Sequence, residues 1–407
     1  MKKASTTSPR VALLIESSRT YGRGILRGIA HYAHAHGPWS IFSEERELHG
    51  GIPRALKQWQ GDGIIARIEN RRMARELLGW GVPVVDVLGN EPYPAIAGFD
   101  TDAVTVARLA GEFFTAAGFR AIAFCGYRGI PFSDRRERAL AAHLARQGRR
   151  LLVCSPKPAG SFARHIQAVE QSGMTTEKVI ADWLRKQPRP LALFACNDVR
   201  ARQVLNACRE QGLRVPEEIA VMGVDNDDVL CSLCEPSLTS IQPDTERLGF
   251  AAAACLHHLI RGGSPPAEIQ QLQPLGIIER DSTDVISVAD PIVVRALRFI
   301  RDQLAGGIGV KEVLAEVGRS RTDLENRFHR HLQTSVRTEI VRQRLLRARS
   351  LLRQTDLRID EVARRSGLGT AGQLCRLFRA RLKTTPGHFR ETSRASDVSP
   401  SAAQGLR

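Results

Sequence analysis

The amino-acid sequence predicts a two-lobed α/β unit followed by an all-helical unit that contains the same helix pair twice. Three observations lead to this prediction. Short apolar runs alternate with amphipathic stretches from residue 11 to about 283, one helix-pair pattern occurs twice after residue 310, and positive charge is concentrated in the last third. The two units therefore differ in secondary structure, in hydrophobic pattern and in charge.

The first unit alternates strand-like and helix-like segments. Eight short apolar runs are typical of strands, at 11–15, 63–66, 82–88, 95–99, 121–126, 151–155, 191–196 and 220–225. The amphipathic segments between them cover 24–36, 71–78, 101–117, 135–147, 176–185, 200–211 and 247–260. Near-continuous apolar strands joined by helices predict parallel sheets covered on both faces. Eight strands are too many for one small sheet, so we expect two doubly wound lobes.

Polar residues follow the strands of this unit. In open parallel sheets a ligand binds beyond the C-terminal strand ends, and two facing lobes would form a cleft there. Carboxylates, amides and the planar guanidinium can bind the adjacent hydroxyls of a sugar or polyol. The alternative is that each Asp or Asn only caps a helix, since helix starts favour these residues. The candidate ligand-binding residues are Arg19, Tyr21, Asp100, Arg136, Asn197, Asp198, Asp225 and Asn226.

The sequence carries no motif for catalysis or cofactor binding. It has no G-x-x-x-x-G-K-[ST] loop, no G-x-S-x-G elbow and no tight G-x-G-x-x-G after a strand, so no catalytic residue and no cofactor are expected. Cys231 and Cys234 form one C-x-x-C pair, which without a second ligand pair does not predict a metal site. No apolar run reaches the ~20 residues that span a bilayer, and no export signal is seen. We expect a cytoplasmic protein with reduced cysteines and no membrane partner.

The last third repeats one helix pair. The segment 310–335 recurs as 359–385 with one inserted residue, so that Phe328 and Phe378 occupy matching positions. In each copy a short amphipathic helix runs into a Gly turn and a longer helix follows. That layout is the helix-turn-helix, whose second helix enters the DNA major groove. Two copies suit two successive major-groove faces of one duplex, ~34 Å apart.

Charge supports a nucleic-acid partner for this part of the chain. Residues 284–407 hold 24 Lys and Arg against 13 Asp and Glu, a net charge of +11 out of +16 for the whole chain. A basic unit beside a nearly balanced one indicates that only the tail meets a polyanion.

The second helix of each pair is expected at about 320–331 and 370–381. Four apolar residues share one stripe of these helices and are expected to face inward: Leu324, Phe328, Leu374 and Phe378. Arg and Gln on the outer face could pair with guanine or adenine edges, and a phosphate contact is the alternative for any single Arg. The residues expected to face the groove are Arg319, Arg321, Thr322, Glu325, Thr370, Gln373 and Arg376.

The tail resembles the AraC-type DNA-binding domain over residues 288–392. The shared marks are the stretch IDEVARRSGL from Ile359, the anchors Leu374 and Phe378, and the ending TPGHFR from Thr385. There are departures, because the Gly usual after the second recognition helix is Lys383, with Gln333 at the matching place in the first copy. These positions set turns, so the departures concern the helix ends and not the fold.

The front, about 10–280, resembles the periplasmic-binding-protein-like core of LacI/GalR-type regulators. The similar stretches are ACNDVRAR from Ala195, VMGVDNDD from Val221 and PSLTSIQPD from Pro236. Arg136 occupies the place of the family's ligand-binding Arg. A LacI-type front joined to an AraC-type tail resembles the xylose operon regulators (XylR type). The resemblance implies a D-xylose-responsive activator of pentose-utilisation genes, a homodimer that binds double-stranded DNA and acts with RNA polymerase.

The expected domains are a sensor at 10–281, a linker at 282–289, a DNA-binding domain at 290–392 and a disordered tail at 393–407. Asp290 and Pro291 suit the first turn of a helix, which places the boundary before them.

Three other functions stay open on the residues alone. They are a regulator that senses another monosaccharide, an architectural DNA binder whose front only dimerises, and an enzyme with an accessory DNA-binding tail.

Overall fold

The computed structural model describes residues 8–44, 52–53, 56, 59–156, 173–284 and 290–391. The chain divides into two compact units, the first up to Val285 and the second from Ile286 onward. The first unit is α/β with two lobes, and the second is helical, as the sequence predicts.

The first lobe is built on a six-stranded parallel sheet. Its order across the sheet is β11-β5-β4-β3-β1-β2. Because β1 lies inside the sheet, its apolar residues are buried on both faces, which explains the unbroken run that begins the unit. The strands are β1 Arg10–Leu14, β2 Ser40–Ser43, β3 Gly63–Ala66, β4 Val84–Asp86, β5 Ile96–Thr101 and β11 Gln270–Leu272.

The second lobe has its own six-stranded sheet, in the order β12-β10-β9-β8-β6-β7. All neighbours are parallel except β12, which runs antiparallel to β10 at the edge. The strands are β6 Ala121–Cys125, β7 Leu151–Cys154, β8 Leu191–Ala195, β9 Ile219–Val224, β10 Thr239–Gln242 and β12 Gly276–Ile278.

Eight helices of the described residues cover these sheets. They are α1 Thr20–His36, α2 Arg71–Leu78, α3 Ala103–Ala116, α4 Pro131–Ala145, α5 Gly173–Leu184, α6 Asp198–Glu210, α7 Asp228–Leu233 and α8 Thr245–Ile260. Glycines of α1 and α8 let these two helices pack closely. A Cβ on Gly28 would lie 2.0 Å from the carbonyl oxygen of Glu246, and one on Gly249 would lie 2.1 Å from that of Ile25.

The chain crosses between the lobes at three places in the described residues: between β5 and α3, between β10 and α8, and between β11 and β12. Hydrogen bonds tie these crossings together. The Asp102 amide donates to the Leu272 carbonyl at 2.8 Å, and the Leu275 amide donates to the Gln242 carbonyl at 2.8 Å. The side chain of Gln273 donates to Asp102 at 2.9 Å. The crossings therefore form one hinge below the cleft.

All eight predicted strands are confirmed, and four short strands were not predicted: β2, β10, β11 and β12. These four lie at sheet edges or beside a crossing and contain three or four residues each. Helix α4 begins four residues earlier than predicted, since Pro131 fits a first helical turn.

The second unit consists of helices around two separate apolar cores. The helices are α9 Pro291–Asp302, α10 Val310–Val317, α11 Arg321–Leu332, α12 Val336–Gln354, α13 Ile359–Arg365 and α14 Ala371–Leu382. The first core contains Leu324 and Phe328, and the second contains Leu374 and Phe378. Helix α12 belongs to both, because its first half packs in one core and its second half in the other. No helix of the described residues could span a membrane.

Left-handed residues occur at two matching positions in the copies of the repeated helix pair. A glycine ends the first helix of the first copy, Gly318 with a φ of 62°, and its counterpart Gly367 has a φ of 74°. The second helices end at Gln333 and Lys383, with φ values of 52° and 56°. The turn geometry that usually requires glycine is therefore kept by two residues that carry side chains.

The predicted linker 282–289 lies partly in the first unit. Ser282 donates to the carbonyl of Val221 at 2.6 Å, and Thr283 is buried beside it. Residues 285–289 of this linker, and the predicted tail 393–407, lie outside the described residues. Asp290 caps α9 by accepting from the amide of Ile292 at 2.9 Å. The domain limits remain a prediction.

A fragment of residues 288–392 is expected to fold by itself, because both of its cores are built from its own helices. Circular dichroism should show a helical spectrum with a cooperative thermal transition. Phe378→Ala should lower the free energy of unfolding by about 3–5 kcal/mol. The exposed neighbour Arg379→Ala should change it by less than about 0.5 kcal/mol. A fragment without a cooperative transition would contradict the two-unit organisation.

Candidate functional site

A cavity lies between the two lobes of the first unit. The first lobe contributes Glu16, Arg19, Tyr21, Arg67, Leu88 and Asp100. The second lobe contributes Phe132, Arg136, Asn197 and Asp225. The structure thus brings together six of the eight candidate residues at the C-terminal ends of strands from both sheets.

The first lobe supplies a buried ion pair at the start of the cleft. Glu16 follows β1, Arg67 follows β3, and the guanidinium donates to the Glu16 carboxylate at 2.5 Å. The Glu16 side chain is only 2% exposed, so the pair is poorly screened by water. Nearby, the hydroxyl of Tyr21 lies 3.1 Å from that of Thr101, and burial followed by the charge of Asp100 raises the pKa of Tyr21.

Asp100, near the end of β5, is held on both of its carboxylate oxygens. The amide of Thr101 donates to Oδ1 at 2.7 Å, and Arg135 donates to Oδ2 at 2.6 Å. Burial raises the pKa of Asp100 to about 6, although the charges of Arg135 and Arg136 act in the opposite direction. The carboxylate is therefore mostly ionised at neutral pH, and a modest fall in pH would protonate it.

The second lobe contributes a buried guanidinium. Arg136 on α4 is 6% exposed and donates to the carbonyl of Cys196. Its guanidinium carbon lies 5.3 Å from the centre of the Phe132 ring, within the range of a cation–π contact. Asn197 lines the cleft and also caps α6, since its side-chain oxygen accepts from the amide of Arg200 at 2.9 Å.

Asp225 lines the cleft directly after β9, with a φ of 111°. This backbone conformation is unfavourable for most residues with a side chain, and such strain is often found at functional sites. The amide of Asp225 donates to the carbonyl of Ile241 at 3.0 Å, which fixes the strained residue to the neighbouring strand.

Two candidates, Asp198 and Asn226, do not line the cleft. Asp198 is 2% exposed and accepts from the hydroxyl of Ser240 at 2.6 Å and from the amide of Asp227 at 2.9 Å. Burial and the charge of Asp225 raise the pKa of Asp198 above its usual range. Asn226 accepts from Arg280 at 2.7 Å. Both side chains are thus held by other residues of the second lobe instead of lining the cleft.

Four lining residues were not predicted from the sequence: Glu16, Arg67, Leu88 and Phe132. The strand-end rule would have found two of them, because Glu16 and Arg67 come just after predicted strands. Leu88 and Phe132 carry no signal that separates them from ordinary core residues. The alternative reading as helix caps also holds in part, since Asn197 is both a lining residue and a cap.

The combination of acceptors and guanidinium donors suits a small neutral molecule with several hydroxyls. No group of three metal-binding side chains occurs in the described part of the chain. A larger cavity of about 240 Å³ lies in the first lobe against β5, lined mainly by prolines and acidic residues. Its lining residues, among those that the structure describes, all belong to the first lobe.

The second unit presents two exposed helix faces. Helix α11 begins after Ser320, whose hydroxyl accepts from the amide of Asp323 at 3.2 Å, and α14 begins after Thr370 in the same way. The four anchors are fully buried: Leu324, Phe328, Leu374 and Phe378. Six of the predicted groove-facing residues are exposed: Arg319, Arg321, Thr322, Thr370, Gln373 and Arg376.

Glu325 differs from the expectation. Its side chain is half-buried, and its carboxylate accepts from the amide of Val336 at 3.2 Å. It therefore helps to cap α12 rather than facing outward with the other residues of α11. A carboxylate at a helix N-terminus is favoured by the helix dipole.

Family models match three parts of the chain. Residues 10–104 match the XylR N-terminal domain, 111–283 the periplasmic binding protein-like domain, and 313–392 a helix-turn-helix domain. The chain is 30% identical over 393 residues to the xylose operon regulatory protein of Escherichia coli, covering 95% of this chain and 98% of that protein. It is 27% identical over 389 residues to the protein of the same name in Haemophilus influenzae, covering 94% and 98%.

A solved structure agrees with the sequence relatives. It is described as the xylose-binding transcription activator xylR and superposes with a TM-score of 0.74 at 30% identity. The match covers 95% of this chain and 99% of the solved one, so it includes both the α/β unit and the helical unit. The chain therefore belongs to the xylose operon regulatory protein family.

Proposed function

We propose that this chain is a xylose-responsive transcriptional regulator, an activator that binds sugar in the interlobe cleft and DNA through both helix-turn-helix motifs. One observation carries the proposal: acceptors and guanidinium donors from two lobes line a single cleft in a chain that also holds two exposed recognition helices. A relative of nearly equal length is described as a xylose-binding transcription activator, which supports xylose as the ligand.

The switch requires different sugar affinities in two lobe arrangements. A sugar that contacts Asp100 of one lobe and Asp225 of the other favours the arrangement in which both face the cleft. In the proposed mechanism the sensor at 10–281 transmits this change through the linker 282–289 to the DNA-binding domain at 290–392. A cytoplasmic homodimer would place paired domains on two half-sites and recruit RNA polymerase.

A thermal-shift panel of pentoses and hexoses on the full chain tests the ligand. Xylose is expected to raise the melting temperature most, because binding to the folded state stabilises it by mass action. A larger shift with another monosaccharide would support a sugar-sensing regulator whose ligand is that sugar instead of xylose. If no sugar gives a shift and calorimetry detects no binding, the sensing proposal fails and a front that only dimerises is favoured.

Asp225→Asn is expected to weaken xylose binding at least tenfold without unfolding the protein. Asn tolerates a positive φ better than Ala, so the substitution removes the charge with little added strain. An amide in place of the carboxylate leaves sugar hydroxyls poorly paired, which costs about 1–3 kcal/mol. Calorimetry measures the affinity, with Asp182→Asn on the exposed face of α5 as the matched control. Equal xylose affinity of the two variants would show that the Asp225 carboxylate does not contribute to sugar binding.

Arg321→Ala and Gln373→Ala are each expected to relax base preference at one position of the operator. A good bidentate pair between such a side chain and a base discriminates by about 1–3 kcal/mol. Selection from randomised duplexes measures the preference. Arg347→Ala, which removes an exposed charge from α12 outside both recognition helices, is the control. A uniform loss of affinity for every sequence would indicate phosphate contacts instead.

A further inference from the structure

Arg135 joins the two lobes at the edge of the cleft. It lies on α4 of the second lobe, and its guanidinium donates to the Asp100 carboxylate at 2.6 Å and to the Asn90 carbonyl at 2.9 Å, both in the first lobe. We propose, on the basis of the proposed sugar-sensing function, that Arg135 is a positioning residue that holds Asp100 toward the sugar and couples sugar binding to lobe closure.

The geometry favours a specific role for arginine. Two separate nitrogens of one planar guanidinium each donate to a different acceptor, and an ammonium group, whose three donors share one nitrogen, does not match this fixed geometry. The side chains of Arg135 and Asp100 are 24% and 12% exposed, so the interlobe ion pair is only weakly screened. Its neighbour Arg136 lines the cleft, while Arg135 does not, which separates ligand contact from positioning.

The coupling follows from where the partners lie. Asp100 belongs to the first lobe and Arg135 to the second, so opening the hinge between the lobes would break both hydrogen bonds of Arg135. In the structure, where Arg135 bridges the two lobes and which we therefore take as the closed arrangement, the same carboxylate lines the cleft and is fixed by Arg135 and by the amide of Thr101. A sugar that binds this fixed carboxylate therefore binds the closed arrangement better, which is the differential affinity that a switch needs.

The charges around Asp100 give a readout that a merely structural role would not change. Arg135 and Arg136 face it from α4, Asp86 from β4 and Tyr21 from α1. Burial raises the pKa of Asp100 to about 6 in the presence of both arginines. Removing Arg135 leaves burial less opposed, so the pKa must rise further. The acid limb of sugar binding should then shift to higher pH.

Calorimetric titration of the full chain with xylose between about pH 5 and 8 tests the proposal. Arg135→Gln is expected to weaken binding about ten- to thirtyfold near pH 7.5. In this variant the loss of affinity on the acid side should also occur at a higher pH than in the wild type. Arg135→Lys should restore only part of the affinity. Arg138→Gln removes the same charge from an exposed position of the same helix and should change neither quantity.

A double-mutant cycle with Asp100→Asn establishes whether Arg135 acts through Asp100. In the Asp100→Asn background, Arg135→Gln should reduce affinity less than about threefold. An equal loss in both backgrounds, wild-type affinity of Arg135→Gln, or an unmoved pH profile would overturn the proposal.

If the wild type binds no xylose, the proposed function fails first. Carbon-13 NMR titration of the Asp100 carboxyl then decides separately, because identical midpoints in wild type and Arg135→Gln would overturn the interlobe ion pair.

Discussion

The α/β unit depends on pairing charges that its fold removes from water. Parallel strands end at one edge of each sheet, and the three crossings turn these two edges toward one cleft. Charged side chains there are stable only if they are paired or hydrogen-bonded, because burying an isolated charge costs several kcal/mol. Glu16 pairs within its own lobe, whereas Asp100 is completed by an arginine from the other lobe. The ligand site is thus made from groups that already need partners.

Much of the fold could be predicted because periodicity and length carry the information. Short apolar runs identify eight strands, and all eight are present. Seven of them lie inside a sheet and are mostly buried, whereas β7 lies at a sheet edge. The short strands at the hinge, such as β11 and β12, escaped because three residues give no periodic pattern. Their place is decided by pairing with β5 and β10, in which the paired residues are at least 34 positions apart in sequence.

The sequence predicts where along the strands the site residues lie, but not where their side chains point. A polar residue directly after a strand is predicted to lie at the cleft edge, yet Asp198 does not line the cleft and instead accepts a hydrogen bond from Ser240. Glu325 shows the same limit in the helical unit, since its carboxylate reaches the next helix at Val336. Such choices depend on partners far along the chain. The four anchors of the recognition helices were predicted correctly because helical spacing alone decides which face is buried.

Helix α12 has a consequence for the operator as well as for the protein. It is the only element of the described helical unit that contributes buried residues to both cores, through Val336 and Ile340 at one end and Ala348 and Leu352 at the other. Its 19 residues extend about 28 Å as an α-helix. It therefore sets both the distance and the relative rotation of the two helix-turn-helix motifs. One residue inserted in its middle would turn one head by about 100° relative to the other. Under the proposed function, a change in the length of this helix would require a matching change in the spacing of the operator bases that the two motifs contact.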